Sequence, residues 1–122
     1  MATRSDLLAW QWSDYAAKHR SRVNLLIHIV AVPLFVAGLV LVVAGIGLAD
    51  WTPGLVGLAA MVVGFAAQGF GHGREPERPA PFLGTIDFLS RFLAEQFVTF
   101  PRFVISGGWS ANLRQAAARP RA

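Results

Sequence analysis

The segment at residues 68–80 carries side chains whose types and spacing could bind a metal ion. His72, one of three histidines in the chain, lies between two glycines, and Glu75 follows three positions later. Imidazole and carboxylate groups together are common ligands of divalent transition metals. Three prolines in and just after the segment prevent a continuing helix, so His72 and Glu75 would be presented by a stiff loop. A plain loop leaving an apolar helix fits the same pattern, and both interpretations stay open here.

The two other histidines precede His72 by many residues, and they converge with each other only under one condition. His19 and His28 are nine positions apart, and nine steps of 100° on a single helix would turn them about 180° away from each other. Convergence therefore requires a break in the chain near residues 20–24, where Ser21 and Asn24 could each cap a new helix. His28 lies inside an apolar stretch, where an ionisable side chain is costly and usually functional. His19, beside Lys and Arg, also fits an ordinary surface position.

The composition favours a membrane protein and argues against several other classes. Of 122 residues, 54% are hydrophobic, and the absence of cysteine excludes disulfides, thiolate metal sites and cysteine nucleophiles. The net charge of +4 suits an anionic membrane surface. No nucleic-acid partner is expected, because the arginines are spread over the flanks without a recognised motif. Ser106 lies in ISGG, which is not a nucleophile elbow.

Two apolar stretches, residues 23–48 and 53–70, predict a transmembrane helical hairpin. At about 1.5 Å per residue, some twenty apolar residues span a hydrocarbon core of about 30 Å. Pro33 predicts a kink in the first span, and Gly57 and Gly64 would let the second pack closely on it. The turn between the spans has no Lys or Arg, whereas both flanks are basic. The positive-inside rule thus places both termini in the cytoplasm, as in a bacterial inner-membrane or endoplasmic-reticulum protein.

Amphipathic helices are predicted on both sides of the hairpin. Residues 5–20, with Ser5 as N-cap, carry Trp and Tyr side chains typical of a membrane interface. Residues 84–105 repeat apolar side chains at helical spacing, interrupted by Pro101, and residues 111–122 form a tail. The predicted fold is all-α, a single membrane domain over 1–122 in which the hairpin and its flanking helices form a small bundle.

The hairpin makes a geometric prediction about the histidines. His28 lies at the start of the first span and His72 just after the end of the second, and these ends of an antiparallel pair share one side of the membrane. His19 lies on the same side, at the end of the N-terminal helix. We therefore expect all three imidazoles near the cytoplasmic interface.

The spaced motifs that contain these residues resemble those of one family of small membrane proteins. They are Tyr15-x3-His19-x4-Asn24-x3-His28 with Pro33 soon after, Gln68-x2-Gly71-His72, and Glu75-x3-Pro79-Ala80. Over roughly residues 5–109 the chain resembles the 2-hydroxy fatty acid dioxygenases of the metabolism-of-phytosphingosine-protein type. It departs from their pattern near Glu75, where the His-to-Glu spacing is one residue shorter and Pro76 and Pro81 stiffen the loop.

The resemblance implies an all-helical membrane enzyme that requires Fe(II). The implied reaction is α-oxidation, in which a 2-hydroxy fatty acid and dioxygen give the acid one carbon shorter. By the same resemblance, His19, His28 and His72 are the catalytic iron ligands, and Glu75 is a further candidate ligand.

Other side chains are expected to support this chemistry. A 2-hydroxy acid could chelate iron while its alkyl chain lies along the hairpin. Its carboxylate could be neutralised by nearby arginines, for which the candidates are Arg22, Arg74 and Arg78. Ligating histidines usually need hydrogen-bond partners of their own, and the candidates for that role are Tyr15, Asn24, Gln68 and Glu95.

Two functions from other classes remain open at this point. One is a non-catalytic membrane adaptor in which the histidines are structural. The other is a b-type haem protein with His28 and His72 as axial ligands. Metal analysis and a visible spectrum would separate the three hypotheses.

Overall fold

The computed structural model describes residues 5–119, and every regular element in that part of the chain is helical. A 3₁₀ turn, Ala16–Lys18, follows the first helix, and a π-helical turn, Glu95–Thr99, joins the fourth helix to the fifth. The predicted all-α fold is confirmed, while residues 120–122 of the predicted tail lie outside the described residues. The α-helices are α1 (Leu7–Ser13), α2 (Arg22–Leu48), α3 (Trp51–His72), α4 (Thr85–Ala94), α5 (Phe100–Ile105) and α6 (Gly108–Ala118).

Helices α2 and α3 form the predicted antiparallel hairpin. The turn is short because Ala49 adopts the left-handed conformation, with φ at 51°, and ends α2. The Asp50 carboxylate then accepts a hydrogen bond from the Thr52 N–H at 3.0 Å and caps α3. Helix α3 therefore begins two residues before the predicted span and continues two residues beyond it. His72 consequently lies in the last turn of a helix instead of in a loop.

Close contact between backbones holds the two hairpin helices together. A Cβ added at Gly38 would lie 2.6 Å from the carbonyl oxygen of Gly57, and one added at Gly64 would lie 3.0 Å from that of Ala31. Glycine at these positions lets the helices approach more closely than any side chain would allow. The packing role predicted for Gly57 and Gly64 is confirmed.

The outer surface of the hairpin is apolar. Both helices are long and apolar enough to cross a membrane, and α2 continues as one helix through Pro33. Exposed apolar surface of this extent points to association with a membrane. Large side chains that face outward include Val30, Val40, Val43, Ile46, Leu55 and Val62.

The predicted N-terminal helix is shorter than expected and ends before the first histidine. Helix α1 covers only Leu7–Ser13, and its N-cap position is Asp6, without a side-chain cap hydrogen bond, so the assignment of Ser5 as N-cap is wrong. The 3₁₀ turn ends at Lys18, and α2 starts afresh at Arg22. The Ser21 hydroxyl caps it by accepting from the Asn24 N–H at 3.4 Å. The break predicted near residues 20–24 is therefore confirmed.

The helix predicted over residues 84–105 is built in three parts. Between α4 and α5, the Phe100 N–H donates to the Glu95 carbonyl oxygen five residues earlier, which defines the π-helical turn. Pro101 does not interrupt the helix, because it lies in the first turn of α5, where a missing N–H is tolerated. The wide turn buries Glu95, Gln96 and Thr99 together. Such turns often occur at functional sites.

The core of the protein lies at the open end of the hairpin. There α6 is tied to α2, since the Trp109 indole N–H donates to the Leu25 carbonyl oxygen at 2.9 Å. Helix α6 also reaches the break before α2, where the Asn112 amide donates to the His19 carbonyl oxygen at 2.7 Å. The buried apolar cluster of this region consists of Tyr15, Leu25, Val32, Phe100 and Phe103.

We expect Gly57→Leu to destabilise the protein, because the new side chain would force α2 and α3 apart where Gly57 and Gly38 face each other. Overpacking of this kind costs about 1–3 kcal/mol. Gly47→Leu is the matched control, since a Cβ at Gly47 would meet no atom of residues 5–119 within 4 Å and Leu favours the helix. Thermal unfolding in detergent, followed by circular dichroism, should show a lower melting temperature for Gly57→Leu alone. Equal melting of the two variants would contradict the close crossing.

Candidate metal centre

The structure brings the three histidines of the chain together with one buried carboxylate. The ring centroids are 5.1 Å apart for His19 and His28, 5.0 Å for His19 and His72, and 4.9 Å for His28 and His72. Glu95 completes the group, in which one ligand atom from each of the four residues lies within 4.8 Å of all the others. We call these four residues the three-histidine, one-glutamate cluster.

One oxygen of Glu95 faces all three imidazoles. Its Oε2 lies 3.1 Å from Nε2 of His19, 3.7 Å from Nε2 of His28 and 3.9 Å from Nε2 of His72. His28 is fully buried, and His19 and the Glu95 carboxylate are nearly so. His72 is the most accessible of the four, with 23% of its side chain exposed. The cluster is therefore a buried, polar centre with one side open.

Each member of the cluster is positioned by a different feature of the backbone. His19 directly follows the 3₁₀ turn, and the break after it lets it fold back over His28, which lies in the second turn of α2. His72 is the last residue of α3. Glu95 is the first residue of the π-helical turn. Four separate segments therefore meet at this point.

Hydrogen bonds fix the orientation of two of the rings. His19 Nδ1 lies 2.8 Å from the Tyr15 carbonyl oxygen, and His28 Nδ1 lies 3.0 Å from the Asn24 carbonyl oxygen. A carbonyl oxygen can only accept, so each ring donates from Nδ1 and turns its Nε2 toward Glu95. This arrangement is the usual one for a histidine that binds a metal through Nε2.

Tyr15 supports the cluster a second time through its side chain. The Tyr15 hydroxyl donates to Glu95 Oε2 at 2.7 Å, and its ring stacks on His19 with the centroids 3.8 Å apart. The predicted supporting role of Tyr15 corresponds to these contacts. Burial, together with the neighbouring Glu95 carboxylate, raises the pKa of Tyr15 well above its ordinary value, so its hydroxyl stays a donor.

The surroundings keep the carboxylate charged and the His19 ring neutral. Burial by itself raises the pKa of Glu95, but the surrounding histidines, His19 first among them, outweigh it and hold that pKa well below the ordinary value. Burial lowers the pKa of His19, and its contact with the Glu95 carboxylate offsets only part of that effect. A carboxylate anion facing neutral imidazole is the protonation pattern that cation binding requires.

The donor set fits a divalent transition metal. The Nε2 of His28 and the Nδ1 of His72 are buried and have no hydrogen-bond partner in the part of the chain that the structure describes, and burying polar groups in this way is unfavourable unless they gain a ligand. Three imidazoles with one carboxylate suit iron, zinc or manganese, and the set offers no soft sulfur ligand. A cation bound among the four residues would neutralise Glu95 and use the lone pairs that face it.

Glu75, the carboxylate that the sequence offered as a ligand, is not part of the cluster. Its carboxylate accepts hydrogen bonds from the backbone N–H groups of Arg20 at 2.8 Å and Ser21 at 3.0 Å, and from the Asn24 side-chain amide at 2.7 Å. Free N–H groups at the start of a helix attract a negative charge in this way. Glu95, predicted only to support the ligands, occupies the position predicted for Glu75.

The remaining sequence candidates have other contacts. Asn24 connects Glu75 to His28, because its side chain donates to the carboxylate and its carbonyl accepts from the ring. Gln68 does not bond to a histidine but forms a reciprocal amide pair with Gln96, at 2.9 and 2.7 Å. That pair ties α3 to the π-helical turn.

A cavity of about 250 Å³ leads to the cluster from the side of α3. His19, His72 and Glu95 lie on its wall, and it is lined with aromatic rings, namely those of Trp10, Tyr15, Phe65, Phe82, Phe88 and Phe92. The three predicted substrate-binding arginines, Arg22, Arg74 and Arg78, are exposed and do not line it. Within the described residues, the cationic side chains on its wall are Lys18 and Arg91, which sequence reasoning missed.

One sequence signal could have identified Glu95. It is the last of the seven acids in the chain and lies in FLAEQFVTF, a segment otherwise free of charge. An isolated acid among apolar residues of a buried helix needs a partner, much as His28 does. Lys18 and Arg91 had no comparable signal, because cations on amphipathic helices usually face solvent.

Comparison with protein-family models found a match that spans most of the chain. A family model described as Mpo1-like, 2-hydroxy-palmitic acid dioxygenase Mpo1-like, matches residues 6–101 and so includes all four members of the cluster. Comparison with curated proteins and with solved structures found no match.

We expect Glu75→Gln to lower stability without removing metal binding. The amide would turn an N–H group toward backbone donors, and unsatisfied buried polar groups cost about 1–3 kcal/mol each. Metal content after saturation and dialysis should stay near the wild-type ratio, whereas Glu95→Gln should lose metal. The prediction is wrong if Glu75→Gln loses the metal and Glu95→Gln keeps it.

Acid should destabilise the metal-free protein. In the unfolded chain His19 titrates at about pH 6.5, and its pKa in the folded protein is lower. Below about pH 6.5 the unfolded state therefore binds more protons, and the free energy of unfolding decreases as the pH falls. The low pKa of Glu95 extends that loss into more acidic solution. Chelator-treated protein should melt at a lower temperature near pH 5.5 than near pH 7.5. This decrease in melting temperature should be larger in the wild-type protein than in His19→Gln. A melting temperature independent of pH over this range would contradict the lowered pKa of His19.

Proposed function

The chain belongs to the Mpo1-like family, and we propose that it is an Fe(II)-dependent dioxygenase that shortens 2-hydroxy fatty acids by one carbon. The single observation that carries the proposal is the three-histidine, one-glutamate cluster at the end of a cavity lined with aromatic rings. The ligand types suit iron, and the cavity wall suits an alkyl chain. Neither feature alone would distinguish an oxygenase from another metal protein.

The proposed reaction balances without a further cosubstrate. Oxidising a 2-hydroxy acid to the next shorter acid and carbon dioxide removes four electrons, and reducing one molecule of dioxygen to water consumes four. The bond that breaks joins the carboxyl carbon to the carbon that bears the hydroxyl group. No 2-oxo acid is therefore needed as a source of electrons.

Fe(II) bound to the cluster would supply open coordination positions for dioxygen and substrate. The protein side chains would hold that ion and keep their protons in place. His19 and His28 present Nε2 because their Nδ1 atoms lie within hydrogen-bond distance of backbone carbonyl oxygens. The Tyr15 hydroxyl, by donating to Glu95, restrains the carboxylate that completes the set.

The cations on the cavity wall are the best candidates to recognise the substrate carboxylate. Lys18 immediately precedes His19, and its ammonium group donates to the Arg78 carbonyl oxygen at 2.7 Å and lies 3.6 Å from Glu77. Arg91 is buried, and its guanidinium donates to the Pro81 carbonyl oxygen at 3.2 Å. We assign carboxylate recognition to Lys18, because Arg91 is held in the packing of the loop before α4.

The alkyl chain would extend from the cluster toward the membrane. Pockets for drug-sized ligands are about 300–1,000 Å³, so a cavity of about 250 Å³ holds the head and first carbons of a long acid. Phe65 and Phe82 on its wall remain 45% and 48% exposed, which leaves an apolar opening at the side of α3. The rest of the chain would pass through that opening along the hairpin.

We place the cluster at the cytoplasmic end of a membrane hairpin. The support is the charge pattern, since the flanks of α2 and α3 at the cluster end are basic and the turn at the other end has no Lys or Arg. A substrate dissolved in the inner leaflet would then reach the cavity without leaving the membrane.

The alternative functions find less support in the geometry. A haem needs a flat space between two axial histidines, but the His28 and His72 centroids are 4.9 Å apart, and His19 and Glu95 approach the same point. An adaptor would have no use for four convergent ligand atoms that are largely buried.

Purified protein supplied with Fe(II) and air is expected to convert a long-chain 2-hydroxy fatty acid to the acid one carbon shorter. Chelation should abolish the activity, and Fe(II) should restore it. Because loss of residues that merely support a metal site typically costs 10–100-fold, each of His19→Ala, His28→Ala, His72→Ala and Glu95→Gln should lose at least about 100-fold.

Asp50→Asn is the matched control for Glu95→Gln, because it also converts a carboxylate to an amide but lies at the far end of the hairpin. Asn caps helices as well as Asp does, so this variant should keep wild-type activity. Activity that survives complete metal removal, or that is absent at every chain length in iron-loaded protein, would contradict the proposed function.

A further inference from the structure

The face of α3 that lines the cavity contains one residue without a side chain. Phe65, Gln68, Gly69 and His72 lie on the cavity wall, and their spacing of three and four residues places them on one side of the helix. Gly69 is thus the position nearest to His72 on that face, between the cluster and the aromatic ring of Phe65.

The space beside Gly69 is empty, unlike that beside the packing glycines of the same helix. Among residues 5–119, a Cβ added at Gly69 would meet no heavy atom within 4 Å, whereas one added at Gly57, Gly64 or Gly71 would run into α2 at 3.0 Å or less. Those three glycines let the hairpin close. Gly69 lowers the helix propensity of α3 without giving any such contact, so its effect is to keep the cavity wide.

The cavity has a polar side and an aromatic side at this point. Gln11, Asp14 and Lys18 line it from the N-terminal segment, and the rings of Phe65, Phe82, Phe88 and Phe92 line it from α3, α4 and the loop between them. An amphiphile would therefore lie with its head at the cluster and its chain against the rings. The first carbons beyond the head would pass Gly69.

We propose that Gly69 is a specificity-determining residue, which keeps open the passage for the alkyl chain between the cluster and the opening at Phe65 and Phe82. The inference rests on the proposed function for the identity of the substrate. A side chain at position 69 would narrow the passage from the α3 side, and the effect would increase with the length of the alkyl chain, since short acids end before the obstruction.

The test compares Gly69→Leu and the milder Gly69→Ala with Gly47→Leu. Gly47 is also helical and also open to a Cβ, but it lies at the other end of the hairpin and outside the cavity. Metal content and melting temperature are measured first. All three variants should bind as much metal as wild type and should melt at the same temperature or higher. The ratio of kcat/KM for a long-chain to a short-chain 2-hydroxy acid should then fall about 10–100-fold in Gly69→Leu, by the usual cost of misfit in an apolar pocket. The decrease should be smaller in Gly69→Ala, and Gly47→Leu should not change the ratio.

A binding measurement separates this inference from the proposed reaction. Trp10 lies on the cavity wall, so a brominated long-chain fatty acid should quench its fluorescence when the chain enters; the Trp10→Phe variant gives the background of the other tryptophans. We expect quenching in the wild-type protein and in Gly47→Leu, and at least tenfold weaker quenching in Gly69→Leu. That result supports the inference even if no acid is turned over. Equal quenching in Gly69→Leu and wild type, or no Trp10 quenching in wild type, overturns it.

Discussion

The structure depends on one buried carboxylate that faces three imidazoles. A charge as deeply buried as Glu95 persists only where several groups compensate it, and here Tyr15 and three histidines do so from three segments of the chain. Because those segments must all meet the π-helical turn that carries Glu95, the requirement constrains the whole open end of the hairpin. Binding of a divalent cation would meet the same requirement more completely.

The rest of the fold can be understood as the means of bringing four ligands to one point. Glycine contacts between α2 and α3 fix the register that sets His28 opposite His72. Glu75 stabilises the break after His19 through the free N–H groups at Arg20 and Ser21. The π-helical turn buries both Glu95 and Gln96. The hydrogen-bonded Gln68–Gln96 pair then fixes the position of that turn along α3.

The parts of this account that the sequence predicted are those governed by local chemistry or simple geometry. Apolar length and glycine placement predicted the hairpin, and the angular separation of His19 and His28 required the break that Ser21 caps. The choice between two carboxylates could not be made in this way. Glu75 is the nearer acid in sequence to His72, but its carboxylate is taken by the start of α2. Glu95 reaches the histidines through a π-helical turn that has no recognisable sequence pattern.

X-ray absorption at the iron edge, on anaerobically Fe(II)-loaded protein, would show whether the three histidines and Glu95 hold one iron ion. We expect one iron per chain with about three imidazole nitrogens at about 2.0–2.2 Å, by analogy with other imidazole–metal bonds, together with oxygen ligands. Glu95→Gln should alter that spectrum or lose the iron, and Glu75→Gln should leave the ligand shell as it is. A spectrum with at most one imidazole, or a protein that holds no iron, would contradict the proposed centre.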